Sequence, residues 1–156
     1  MKQNYIHNSV RMAGVLTIKT FKGGELIRES GPIPNKVVSS SGYGRNLLIR
    51  QLAGDTTYPI EIDSMAVGDD NTAAADGNTA LGNSLVASIP ITSFTVNNNE
   101  LVIDVFVADG NLADDTYEEL GFFCDGRLLS RIIISPAYSK ASGEDTLFTY
   151  TLTFTG

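Results

Sequence analysis

The sequence predicts an all-β fold, an antiparallel β-sandwich or jelly-roll-like domain of about eight strands with one short helix near residues 43–53. Three observations predict it. Apolar residues recur with period two in several short runs, turn residues separate those runs, and only one stretch carries a helical spacing. The strongest strand signal is residues 118–135, EELGFFCDGRLLSRIIIS, where two apolar runs flank Asp125-Gly126. A type I′ turn needs positive φ at both central residues, which Gly adopts freely and Asp tolerates, so residues 120–124 and 127–134 read as a hairpin. Phe122, Phe123, Leu128, Leu129, Ile132, Ile133 and Ile134 leave almost no polar side. Each face of this hairpin therefore needs a cover.

The other elements follow in chain order. Residues 1–14 are polar with scattered single apolars and read as an extended arm, leaving 15–156 as a single domain. Residues 15–21 alternate Leu16 and Ile18 with Thr17 and Lys19, and Lys22-Gly23-Gly24 joins them to a second short run, 25–29. Pro32 and Pro34 then fix a turn or extended segment. Leu48/Leu52 and Ile49/Ala53 lie four apart, with Ser40 or Ser41 as the expected cap and Gly54 as the stop, which predicts the helix. Residues 60–68 read as a strand with Ile60, Ile62 and Ala66 on one face. Residues 69–79, DDNTAAADGNT, have neither period and read as a long solvated loop. A strand over 84–96 is interrupted by Pro90, which favours an edge or bulge. Residues 101–107 alternate, an acidic loop follows at 109–115, and 136–145 read as the loop before the last strand. That strand, 147–155, sets Phe148, Tyr150, Leu152 and Phe154 inward against a ladder of threonines.

At 156 residues the chain is long enough to bury a core without disulfides or metal. Cys124 has no partner, which fits a protein folded in a reducing cytosol, and core packing is its expected role. The first residues lack the apolar core of a signal peptide, and no run approaches membrane-spanning length. The net charge of −7 conceals a split: +6 over residues 1–50 and −13 over 51–156. Phosphate affinity needs clustered Lys and Arg, so the acidic two-thirds is unsuited to nucleic acid. A basic segment beside an acidic body suits contact between copies, with ordinary solvated surface as the alternative.

No catalytic signature is present. His7 is the only histidine and falls in the arm, so a nucleophile–His pairing would recruit the least patterned part of the chain. One Cys and one His cannot build a zinc site. Asp69, Asp70, Asn71 and Asp76 are hard oxygen donors, yet Ala73–Ala75 occupy the middle of their loop and break the alternating ligand spacing of an EF-hand. Asp109, Asp114 and Asp115 fare no better. The glycines around Tyr43 lack the Lys-Ser/Thr ending of a phosphate loop. Tyr43 reads as a packing residue with a contact role as the alternative. No cofactor is implied.

Two stretches carry a resemblance. Met65-Ala66-Val67-Gly68-Asp69-Asp70, a small polar loop, then Thr79-Ala80-Leu81-Gly82-Asn83 resembles the strand, Thr/Ala-rich loop and T-x-L-x-N/D run of tail-fibre, tail-collar and related virion proteins of tailed bacteriophages. Glu119-Leu120-Gly121-Phe122-Phe123 with Asp125-Gly126-Arg127-Leu128-Leu129-Ser130-Arg131 resembles the E-x-G-L-F-x-x-D/N-G-x-L-x-A/R hairpin of the same proteins. The likeness covers residues 60–156. It departs where the family brings an acid and an arginine after the first run, since Ser84-Leu85-Val86-Ala87 has neither.

The resemblance implies a non-enzymatic virion building block, made in the host cytoplasm and not secreted. Such a protein self-associates as a ring or trimer and docks on other virion proteins: a tail, baseplate or fibre-attachment adaptor, or a head decoration protein. Neither nucleic acid nor membrane is an expected partner. The candidate partner-binding residues are Lys2, Tyr5, Arg11, Arg45 and Arg50 on the basic side and Asp69, Asp70 and Asp76 on the acidic loop. The alternative, from a different class, is a glycan-binding module at a tail tip, with loops 69–79 and 109–115 as its site. A glycan depolymerase comes third, because two carboxylates can be picked from sixteen acids by chance.

Overall fold

The computed structural model describes residues 9–156 and shows a sandwich of two five-stranded antiparallel sheets. In chain order the strands are β1 (Arg11–Lys22), β2 (Glu25–Pro34), β3 (Lys36–Val37), β4 (Ser64–Gly68), β5 (Ser84–Pro90), β6 (Ser93–Asn97), β7 (Glu100–Val107), β8 (Thr116–Cys124), β9 (Arg127–Ser139) and β10 (Glu144–Thr155). One sheet runs β2-β1-β10-β7-β6 and the other β3-β9-β8-β4-β5. A single α-helix among the described residues, α1 (Arg45–Leu52), lies between β3 and β4.

The two strands with the clearest sequence patterns sit at the sheet centres. β10 lies between β1 and β7, and its Phe148, Tyr150 and Leu152 are buried while Thr149, Thr151 and Thr153 alternate with them. β8 is the middle of the second sheet and forms the predicted hairpin with β9, with Asp125 at φ 48° and Gly126 at φ 74° in its turn. Phe122 and Tyr150 stack across the sandwich at 4.5 Å, a contact worth about 0.5–1.5 kcal/mol beyond the area it buries. Around them Leu16, Ile18, Met65, Ile103, Val105, Leu120, Ile132 and Cys124 complete the core. Two inward threonines need partners there. The Tyr138 hydroxyl lies 3.1 Å from Thr20 Oγ1 and 2.8 Å from Thr146 Oγ1, so no hydroxyl of the trio is buried alone.

Several boundaries differ from expectation for identifiable reasons. β1 begins at Arg11, not residue 15, because Arg11 through Gly14 continue the ladder with Thr155 through Leu152. The arm is thus shorter by four residues, and positions 1–8, with Lys2, Tyr5 and His7, lie outside the described residues. The stretch 60–68 is a strand only from Ser64, and its core face is Met65 and Val67, whereas Ala66 faces the opposite side. The strand predicted over 84–96 is two strands, which turn at Pro90 from one sheet into the other. The expected loop 136–145 is largely strand, since Tyr117 pairs with Tyr138 and Thr116 with Ser139. The N-cap of the helix is Gly44, with no side-chain cap, so neither Ser40 nor Ser41 serves. Leu47, outside the predicted pairs, is its fully buried residue, while Leu52 is 81% exposed.

Candidate interaction surface

Covering the outer face of the β8–β9 hairpin are residues 69–83, of which 69–79 were expected to be a solvated loop. Register explains why it is needed. Gly121 pairs with Arg131 and Phe123 with Leu128, a row facing away from the core. Leu81 comes down on this face beside Leu128, and a side chain at Gly121 would stand 2.9 Å from both leucines.

A buried ion pair anchors the cover. Glu119 and Arg131 are neighbours on the outer face, with Arg131 Nε donating to Glu119 Oε2 at 2.8 Å and both side chains nearly inaccessible. The same carboxylate accepts the backbone N–H of Gly82 at 2.9 Å and of Asn83 at 2.7 Å. The carboxylate thus ends the loop's return by holding two main-chain donors while its charge is met by a guanidinium. Arg131 also reaches Asn78 Oδ1 at 3.3 Å and lies 3.8 Å from Asp70. Both Gly68 and Gly82 allow the close approach. A Cβ on Gly68 would overlap the Asn83 carbonyl, and one on Gly82 would overlap Asp70.

The candidate contact residues on this loop are held within the chain. Asp69 accepts from Asn83 Nδ2 at 2.6 Å. Asp70 accepts from the Thr72 N–H at 2.6 Å, and bonds from Thr72 hold its carboxyl below the ordinary carboxylate value. Asp76 bridges Arg45 at 2.9 Å and Lys36 at 3.2 Å, and its carbonyl takes the Ser39 N–H. Arg50 pairs with Asp55 at 2.7 Å and lies over the Tyr58 ring, which Arg127 covers at 3.6 Å, with Tyr43 close by. Hydrogen bonds from Thr57, then Arg50, bring Asp55 down to about 2. Arg11 stands exposed at the start of β1.

The second acidic loop is also occupied. Lys140 is inaccessible at its side chain and donates to Asp109 at 2.6 Å and Asp114 at 2.8 Å. Burial disfavours its charge, but the two carboxylates outweigh that and hold its pKa above the ordinary lysine value. Sequence reading missed Lys140 and the Glu119–Arg131 pair. The available signal was Glu119 and Arg131 standing within the apolar runs, away from the turn charges Asp125 and Arg127.

Among the described residues no three His, Cys, Asp or Glu side chains are grouped to hold a metal, and no helix is long and apolar enough to cross a membrane. Fold and cluster together define a class, an all-β sandwich with a strapped hairpin. Beyond the class, no family model matches the chain, and no curated protein or solved structure matches it.

Proposed function

We propose that this chain is a bacteriophage virion building block that acts by self-association and docking on other virion proteins rather than by catalysis. One observation carries the reading: the two stretches that resemble phage tail proteins form a single physical unit. The T-x-L-x-N run ends on Gly82 and Asn83, whose N–H groups bond the Glu119 that opens the second motif. The small residues of the first motif and the acid of the second are thus complementary parts of one strap. In the glycan-binding alternative, the carboxylates of both loops would contact sugar. Here Asp69, Asp70, Asp76, Asp109, Asp114 and Asp115 each accept an internal bond.

Light scattering on the purified chain tests the reading. A defined oligomer larger than a monomer supports it, and a monomer at every concentration and salt level counts against it. A truncation probing the arm stops at residue 8, because removal to residue 14 would strip four rungs from the β1–β10 ladder.

A further inference from the structure

Among the described residues four strands form the edges of the two sheets, and three of them are blunted against pairing. β2 carries Pro32 and Pro34, charges at Glu25, Arg28 and Glu29, and two register shifts against β1. β3 is only two residues long. β5 ends in Pro90, holds Ser88 at φ 58° and slips register twice against β4. These are the devices by which sheet proteins avoid edge-to-edge contact. β6, SFTVN, has none of them.

Its five residues are all exposed, uncharged and in unbroken register with β7, from Ser93 opposite Asp104 to Asn97 opposite Glu100. Phe94 is 45% and Val96 74% exposed. Both border an open, mostly apolar groove of about 290 Å³ lined also by Ile60, Glu61, Ile62 and Leu101.

We infer that β6 is a self-pairing seam, at which a second copy of this chain adds its own β6 antiparallel about a two-fold axis through Thr95. The inference deepens the building-block reading and rests on it for self-association. The strand's pattern selects this occupant. Polar, Phe, Thr, Val, polar reads alike in both directions, so Phe94 faces Val96 of the second copy, Ser93 faces Asn97, and Thr95 faces itself. One face of the seam is then apolar and closes over the groove, and the other is a polar row that can hydrogen-bond across the axis. Two copies of net charge −7 meet here with no charged side chain on either strand. The isologous pairing closes after two copies and joins two five-stranded sheets into one.

Cross-linking by register tests it. Directly opposed antiparallel residues have Cα atoms about 4.5–5.5 Å apart, within disulfide reach. Thr95→Cys under diamide should give a covalent dimer within minutes, whereas Ser93→Cys, opposite Asn97, should not cross-link with itself. Cys124 is buried and stays out of the reaction. Thr95→Lys, which sets two ammonium groups at the axis, should weaken the dimer at least tenfold in light scattering while keeping the parent's circular dichroism and a cooperative melt. The parent dimer should also survive 1 M salt, since no ion pair holds it.

A parent oligomer that keeps its mass in Thr95→Lys, or Ser93→Cys cross-linking as fast as Thr95→Cys, would overturn the seam and leave the building-block reading standing. A parent that is monomeric throughout would overturn both. Loss of the dimer on removing residues 1–8, with Thr95→Cys failing to cross-link, would assign the groove to the arm of a second copy and reject β6 pairing.

Discussion

At Glu119 a carboxylate that no solvent reaches is held by three donors: the Arg131 guanidinium and the N–H groups of Gly82 and Asn83. Removing one partner of a buried pair leaves the other charge uncompensated, so Glu119→Ala or Arg131→Met should each cost about 3–5 kcal/mol in urea unfolding. Glu119→Leu combined with Arg131→Met removes both charges and should cost less than either single change. It recovers only part of the loss, because Gly82 and Asn83 still lack an acceptor. A double variant no better than the singles would show that the loop's main-chain bonds, not charge balance, dominate. Sequence order shows both residues but not their meeting. They are twelve positions apart, and only the β8–β9 register, with its shift between Phe122 and Phe123, puts them on one face under a cover.

The strap over residues 69–83 was the element least legible in the sequence, for a physical reason. Periodicity reveals segments that bury one face by regular alternation, whereas this loop is fixed by main-chain donors on Glu119, by Asp76 on Arg45 and Lys36, and by close approach over glycine. By contrast β10 and the β8–β9 hairpin were legible because alternation and an Asp-Gly turn are local properties. The need for a cover was also readable from the hairpin's two apolar faces, although its identity was not. Gly68→Ala should force the Asn83 carbonyl outward and cost about 1–3 kcal/mol, with faster hydrogen exchange confined to the loop. Gly77→Ala is the control. A Cβ there meets nothing within 4 Å, so its stability and exchange should match the parent.

Across the whole molecule the basic first third and acidic remainder partly answer each other within one chain. Arg28 pairs with Glu144, Lys36 and Arg45 with Asp76, and Arg50 with Asp55, so four of the eight Lys and Arg in residues 1–50 neutralise acids from the acidic part. The charge split was legible in the sequence. Its internal use was not, because it depends on which loops fold back. This arrangement sets the pH range of stability. Asp55, Asp70, Asp109 and Glu144 all titrate below their ordinary values in the fold, 3.8 for Asp and 4.5 for Glu, so their contribution is present above those values and is lost as pH falls through the folded ones, for Asp55 from 3.8 to about 2. On the alkaline side burial pushes the Cys124 thiol from 9.0 up to about 12, so the folded state keeps a proton that the unfolded chain releases, and stability falls over that interval. The melting temperature should therefore hold a plateau between about pH 5 and 9 and decline on both sides. Asp55→Asn should shallow the acid decline. Cys124→Ser, which keeps a donor toward the Ile60 carbonyl but does not titrate, should shallow the alkaline one. Thermal scans from pH 2 to 12 decide the matter: an acid limb unchanged in Asp55→Asn would remove the Asp55 carboxylate, with its Thr57 and Arg50 bonds, from the stability of the fold, and an alkaline limb unchanged in Cys124→Ser would shift that limb to Tyr117, Tyr150 and Lys140.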